Sequence, residues 1–489
     1  MMIIIRDSML PYFDISKTKR LCMLDYLRSV HIIEDKKATV PRFVKNWGNE
    51  VESVCFEVNE SKYNIYKEFN DGGAILANTF SDGIVLLSED EKMFYLKKVG
   101  PLGFFELLKC GGFFIEDGKN EYALSNMMKS RYAFSDIEYY SVTILPTQDC
   151  NARCFYCFEQ EKKSIAMNNE IADKVVNYLV DRIPKNSSIK YTWFGGEPLL
   201  EIPIIDKIVN DVNQRKEYSL NYTSSVITNG SKLNEELLFK MIRAWHLKSI
   251  VISIDGYREE HDRRKNYIQS TDERFLDYEI AIKNIGLCLR EGINVICRLN
   301  LDKNNTRDLE SIFQDLLEFV EYNNFSIQLS TLHDVPGFRN NDFYSKKDLR
   351  RFYRYSYRLL KRYGFAKNPI NFMPHRSKGN CAATSLNTIV IGADGNLYRC
   401  YQEIMENKTK VGDVESGISF NDNYYRWYNV FLANDSECEK CIMFPICQGG
   451  CAFYREKKIY GDKACHRTKY YFDLILEDLY YYYYAKEEE

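Results

Sequence analysis

The chain has 489 residues, with 66 Lys plus Arg against 69 Asp plus Glu and a formal charge of −3. This length predicts several domains, the near-neutral charge gives no electrostatic case for duplex nucleic acid as the main partner, and 45% hydrophobic residues exclude general disorder. No apolar run reaches the ~18 residues of a membrane span, and Met1-Met2-Ile3-Ile4-Ile5-Arg6 is too short an apolar stretch for a signal peptide, so a cytoplasmic protein without membrane contact is expected.

Residues 1–135 predict a small α+β domain. Strand patterns surround Tyr63–Phe69, Gly72–Leu76 and Gly83–Leu87, helices follow near 90–98 and 102–109, and a short strand lies at Gly112–Ile115. From 136 to 365, apolar strands near 141–146, 189–194, 224–228, 250–255, 293–299 and 325–331 alternate with helices near 169–183, 203–214, 234–245, 274–290, 306–320 and 346–363. Ser345 is the expected N-cap of the last helix and Gly364 its stop. Such alternation predicts a parallel sheet covered by helices, and six units are too few for a closed eight-fold barrel. A partial barrel or an open sheet is expected, with function at the C-terminal ends of the strands.

Residues 366–470 lose this periodicity and gain cysteines, with a hairpin expected at Thr388–Ile391 and Leu397–Cys400 around Ala393-Asp394-Gly395-Asn396. Residues 471–489 read as a terminal helix, with five consecutive tyrosines from Tyr480 to Tyr484, and a solvated tail.

The fifteen cysteines are unevenly spread. Cys150, Cys154 and Cys157 lie in one loop directly after the first strand of the alternating region. Cys438, Cys441, Cys447 and Cys451 form a second group, bracketed by Cys381, Cys400 and Cys465. Cys22, Cys55, Cys110, Cys288 and Cys297 are scattered and read as small buried hydrophobes. A large chain without a signal peptide disfavours a disulfide scaffold, so the clustered thiols point to metal. Three cysteines in a loop match a four-iron cluster with one iron lacking a protein ligand, or a zinc completed by a distant residue. The second strand of the alternating region ends in Gly195-Gly196-Glu197-Pro198, where two glycines permit close backbone approach and carbonyls with a carboxylate suit an ammonium group.

Thr147-Gln148-Asp149-Cys150-Asn151-Ala152-Arg153-Cys154-Phe155-Tyr156-Cys157 resembles the cluster loop of the radical S-adenosylmethionine family, and Gly195–Pro198 resembles that family's motif for the cofactor's amino group. The resemblance implies a partial (β/α)6 radical SAM barrel, a [4Fe-4S] cluster held by Cys150, Cys154 and Cys157, and S-adenosylmethionine chelating the fourth iron. It places Tyr156 against the adenine. Ser253-Ile254-Asp255-Gly256 resembles the family's ribose and carboxylate contact. Relatives often continue to His-Asp-x-x-Arg, whereas His261-Asp262-Arg263-Arg264-Lys265 puts Lys265 in the arginine place, leaving Arg264 or Arg298 as alternative carboxylate contacts.

The seven cysteines from Cys381 to Cys465 resemble the SPASM extension. That implies one auxiliary [4Fe-4S] cluster on Cys438, Cys441, Cys447 and Cys465 and a second on Cys381, Cys400 and Cys451, against two zinc sites as the bland alternative. The fourth ligand of the second set is open, with His375 or a carboxylate as options. The N-terminal unit resembles the small peptide-recognition domain of peptide-modifying members. The implied function is a maturase for a ribosomally made precursor peptide with a leader, installing a thioether, carbon–carbon or carbon–oxygen crosslink, with a reductant such as flavodoxin or ferredoxin. A sulfatase-maturing enzyme is the alternative, although no cysteine lies between Cys381 and Cys400 and Tyr401 follows Cys400 where an acidic base is usual. A zinc-stabilised peptide-binding scaffold without catalysis is the alternative of another class.

Overall fold

The structure is a computed structural model and describes residues 2–4, 42–43, 54–55, 59–134, 139–157, 165–184, 187–215, 221–268, 276–333, 342–375, 381–404, 407–432, 435–458 and 465–484. The tail after Tyr484 and Cys22 therefore lie outside the described residues.

The N-terminal unit is an antiparallel meander of Asn64–Glu68, Ala74–Asn78 and Ile84–Leu87, extended by Met2–Ile4 and Arg42–Phe43 into a five-stranded sheet. Helix Glu89–Lys97 opens on Ser88, whose hydroxyl accepts from the Glu91 N–H while Glu91 reaches back to the Ser88 N–H. Helix Leu102–Cys110 buries Phe104, Phe105, Leu107 and Leu108 under the sheet. A further helix, Glu121–Phe134, has no legible signal in the sequence, for a physical reason. Its buried face is Glu121, Ser125, Lys129 and Ala133, so it carries no apolar period to read. Glu121 is satisfied there by the Ser61 hydroxyl at 2.6 Å and the Lys62 N–H at 3.0 Å.

The alternating region folds as six parallel strands: β1 (Tyr139–Thr147), β2 (Ser188–Gly195), β3 (Tyr222–Thr228), β4 (Leu247–Ile254), β5 (Asn294–Leu301) and β6 (Phe325–Thr331). The covering helices are α1 (Asn169–Arg182), α2 (Ile202–Arg215), α3 (Glu235–Ala244), α4 (Glu259–Lys265), α5 (Leu276–Arg290), α6 (Leu309–Asp315) and α7 (Lys346–Arg362). One face of each strand is buried under helices, as in β5, where Val295, Cys297, Leu299 and Leu301 enter the core while Arg298 and Asn300 face the other way. The strands do not close on themselves: β6 ends the sheet, giving an open (β/α)6 arrangement.

Two helical expectations change. The stretch 306–320 is not one α-helix but a 3₁₀ turn at Thr306–Asp308, α6, and a second 3₁₀ turn at Leu317–Phe319. Its buried residues Leu309, Ile312, Phe313, Leu316 and Phe319 recur mostly at three-residue intervals, and a locally tighter helix keeps them on one face. The short helix α4 is also unanticipated, because Glu-Glu-His-Asp-Arg-Arg-Lys has no apolar residue to signal it. Helix α7 begins and ends where expected: the Ser345 hydroxyl accepts from the Asp348 N–H, and Gly364 takes φ +80°.

The hairpin β7 (Thr388–Ile391) and β8 (Asn396–Tyr398) forms as expected, and β7 pairs in parallel with β1, so the cysteine-rich region continues the main sheet. Helix Phe472–Tyr484 packs on both the N-terminal sheet and α7. Tyr480 stacks on Phe69 at 3.8 Å and donates to Asp71 at 2.9 Å, while Asp473 and Asp478 pair with Arg354 and Lys361 of α7. The N-terminal unit also meets the second cysteine group. Lys62 donates to the Glu439 carbonyl at 3.3 Å, Thr79 donates to the Ile442 carbonyl, and Tyr122 lies 4.8 Å from Phe444. Cys288 and Cys297 are buried in the core and Cys110 is half-buried. No helix among the described residues is long and apolar enough to cross a membrane.

Candidate active site and cysteine groups

The Cys150–Cys157 loop leaves the C-terminal end of β1 and is pinned before any ligand is considered. The Arg153 N–H donates to the Lys265 carbonyl at 2.8 Å, and the Ile268 N–H donates to the Asn151 carbonyl at 2.9 Å. Asn229, at the end of β3, donates to Asn151 Oδ1 at 2.9 Å and toward Cys150 Sγ at 3.9 Å. Gly195 and Gly196 press against the same loop: the Gly196 N–H donates to the Thr147 carbonyl at 3.1 Å and the Glu197 N–H to the Asp149 carbonyl at 2.9 Å. A Cβ at Gly196 would lie 2.0 Å from the Asp149 carbonyl oxygen, and Gly195 has φ +122°.

Glu197 is fully buried. Its carboxylate accepts from the Leu199 N–H at 3.2 Å, the Thr228 hydroxyl at 2.7 Å and the Asn229 N–H at 2.8 Å, which fastens the end of β2 to the end of β3. Burial raises its pKa, against the pull of those donors and of Lys265. An ammonium group beside it would restore the balance.

Across the sheet, Ser253, Arg298 and Gln328 are register partners on β4, β5 and β6. Arg298 donates to Gln328 at 3.4 Å. Two residues beyond Ser253, Asp255 is completely buried and gathers Tyr156, Asn300 and Lys265. The Tyr156 hydroxyl donates to it, Asn300 donates at 2.9 Å, and the Lys265 ammonium is 3.3 Å away. Burial alone would raise the Asp255 pKa, but Lys265, His261 and the donors Tyr156 and Asn300 hold it below its ordinary value. Burial and then the Asp255 charge push the Tyr156 hydroxyl well up, so it remains a neutral donor.

Lys265 also donates to Ser253 Oγ at 2.7 Å, and the charges of Asp255, Cys154 and Cys150 keep it protonated against burial. Arg264, its neighbour, turns elsewhere: it makes paired bonds to Asp302 at 2.8 and 2.9 Å, bonds Glu260, and lies over the Phe155 ring. Of the two adjacent cations, Lys265 is thus the one beside Ser253 and Asp255. Asn229 and Asn300 are site residues that sequence reasoning misses; Thr228-Asn229-Gly230 at a strand end carries a signal for the first, and nothing local carries one for the second.

Cys438, Cys441, Cys447 and Cys465 line one cavity of about 40 Å³, with Arg455, His466 and Lys469 around it. Arg455 donates toward Cys438 at 3.7 Å and Lys469 toward Cys441 at 3.8 Å. Positive φ at Gln448, Gly449 and Gly450 turns the chain between Cys447 and Cys451. Burial pushes the Cys400 thiol up, the Gln402 N–H opposes that rise, and Cys381 and Cys451 add to it. His375 lies 3.9 Å from Asp82. Among the described residues no group of three His, Cys, Asp or Glu side chains is arranged to hold a single metal ion. Burial also raises the Cys447 thiol, partly offset by N–H groups of His466 and Gly449. Thiols so placed ionise together only when a cation shares the cavity, and the flanking Arg455 and Lys469 suit the net negative charge of a thiolate-ligated cluster. The donor set therefore fits iron–sulfur ligation.

Comparison with known proteins bears on this site. The Radical SAM superfamily model matches residues 144–316, from the cysteine loop through α6. The chain carries a radical SAM domain. It is 23% identical over 344 residues to a cysteine-type anaerobic sulfatase-maturating enzyme of Clostridium novyi, covering 65% of this chain and 88% of that one. It is 22% identical over 403 residues to the radical SAM cyclopropyl synthase TigE of Paramaledivibacter caminithermalis, covering 75% of this chain and 80% of that one. Its fold is that of anSMEcpe with bound AdoMet, with a TM-score of 0.55 and 18% identity over 69% of this chain and 98% of that one. The similarity of this chain to these proteins thus extends well beyond the residues of the family model.

Proposed function

We propose that this radical SAM enzyme is a peptide maturase that takes a hydrogen atom from a ribosomally made precursor peptide and installs a crosslink, either a thioether or a carbon–carbon or carbon–oxygen bond. The observation that carries the reading is the packing of the N-terminal unit against the Cys438–Cys447 segment. That packing puts a sheet with Asn64–Glu68 as one of its two edge strands beside the second cysteine group. A neighbour of the same fold, anSMEcpe, was solved with AdoMet and the Cp18Cys peptide together.

Bound at Cys150, Cys154 and Cys157, a [4Fe-4S] cluster with S-adenosylmethionine supplies a 5′-deoxyadenosyl radical on one-electron reduction. The chain's own residues orient it. Glu197 and the Gly195–Gly196 backbone would receive the ammonium, and Ser253 with Lys265 would face the carboxylate, with Arg298 one strand away. Tyr156 ties the cluster loop to Asp255 through its hydroxyl. Cys438, Cys441, Cys447 and Cys465 would hold one auxiliary cluster, and Cys381, Cys400 and Cys451 a second. A reductant of the flavodoxin or ferredoxin kind completes the partners.

The sulfatase-maturating relative favours a second reading, oxidation of a protein cysteine to formylglycine. The two differ in atoms. A crosslink removes two hydrogens and keeps every sulfur, whereas formylglycine formation from cysteine removes the sulfur. Mass spectrometry of a short peptide encoded beside this chain, and of a sulfatase-type cysteine peptide, after anaerobic turnover tests both. Loss of two hydrogens from the neighbouring peptide supports the proposal; sulfur loss from the sulfatase peptide alone refutes it.

A further inference from the structure

Helix α7 carries an unusual concentration of positive charge on a chain whose formal charge is −3. Arg354, Lys361 and Arg362 have acidic partners in Asp473, Asp478 and Glu310. Lys347, Arg350, Arg351 and Arg358 are exposed and have no ion pair or hydrogen bond among the described residues. Their spacing of three, four and seven residues places them along one side of the helix, over roughly 17 Å at 1.5 Å per residue. A stripe of unpaired cations of this length is a feature for an acidic partner.

The opposite face of α7 is aromatic and leads inward. Tyr353 stacks on Tyr470 with ring centres 5.9 Å apart and planes 6° from parallel, and Tyr357 stacks on Tyr471 at 5.3 Å. Tyr470 directly follows Lys469, which lines the 40 Å³ cavity together with Cys465 and donates toward Cys441 at 3.8 Å. A single helix therefore presents cations to solvent and, through its tyrosines, packs on the turn that follows Cys465.

We propose that the outer face of α7 is the docking surface for an acidic one-electron carrier protein of the flavodoxin or ferredoxin class, which exchanges an electron with the Cys438–Cys465 centre across the Tyr353–Tyr470 pair. One electron leaves the reduced carrier and enters the centre; no bond forms or breaks in that step. The inference rests on reading those cysteines as cluster ligands.

The test compares the holoenzyme with a variant carrying Lys347→Glu, Arg350→Glu, Arg351→Glu and Arg358→Glu. All four positions are exposed, and glutamate is a good helix former, so fold and iron content should be preserved, as circular dichroism and iron analysis check. Binding of a purified flavodoxin and a purified ferredoxin is measured at low and high salt. The account expects wild-type affinity to fall with salt and the variant to bind at least about tenfold more weakly. Cofactor cleavage driven by the carrier should fall in the variant, whereas cleavage driven by dithionite, which needs no docking surface, should not. Carriers that bind both proteins equally, or neither, overturn the proposal, as does a face whose charge-dependent binding is shown only by RNA or anionic vesicles. If dithionite gives no cofactor cleavage even with wild type, the maturase reading fails, while the binding comparison still judges the docking surface.

Discussion

At Gly196 a side chain would meet the Asp149 carbonyl oxygen at 2.0 Å, so the cysteine loop and the Gly-Gly turn can be adjacent only if that position has no Cβ. Gly196→Ala should displace the loop, cost ~1–3 kcal/mol of stability, and weaken S-adenosylmethionine binding, measured by urea unfolding and equilibrium binding. Unchanged binding would show that the turn does not shape the cofactor site. Lys265→Met leaves the completely buried Asp255 without its cation and should destabilise the chain by about 3 kcal/mol in the same unfolding measurement. His261 gives a pH signature. Its Nδ1 accepts the Asp255 N–H at 3.1 Å, and burial, aided by Lys265, pushes its pKa from 6.5 down to about 3. The unfolded chain binds a proton below about 6.5 that the folded chain refuses, so stability is complete above that pH and falls on acidification by up to about 1.4 kcal/mol per pH unit. His261→Gln should flatten that slope in unfolding measured between pH 7 and 5.

At the scale of elements, helix Phe472–Tyr484 joins the N-terminal sheet to α7. Tyr480→Ala removes a buried ring stacked on Phe69 and its bond to Asp71, and should cost about 3–5 kcal/mol. Amide exchange should accelerate in Asn64–Glu68 and Ala74–Asn78 more than in β1–β6; equal acceleration everywhere would mean that the helix does not specifically hold that sheet. The same contacts bear on peptide capture. Because the N-terminal unit also touches the Cys438–Cys447 segment, deleting it would expose that segment, and substitutions along Asn64–Glu68 are the cleaner probe of an edge that binds peptide. The strands and most helices are legible in the sequence because apolar residues alternate or recur with the helical period. Helices Glu121–Phe134 and α4 are not, since their buried positions are largely polar, and the pairing of β7 with β1 is not, since no local pattern states which distant strand a segment will join.

At the scale of the whole molecule, the cysteine spacings and the Gly195–Pro198 turn are legible because short-range geometry fixes them. The network around Asp255 is not, because Tyr156, Lys265 and Asn300 come from three separate segments and meet only after folding. The same holds for Arg264, whose engagement by Asp302 depends on a residue 38 positions away. The central claim is that Cys150, Cys154 and Cys157 hold a cluster that cleaves S-adenosylmethionine, separate from the clusters of the second cysteine group. It is tested most directly by iron content and 5′-deoxyadenosine formation under dithionite, in the wild type and in a variant with those three cysteines changed to alanine. The account predicts about 12 irons in the wild type, a loss of about four in the variant, and no 5′-deoxyadenosine from the variant. A variant that still forms 5′-deoxyadenosine, or a wild type that binds zinc in place of iron, would contradict it.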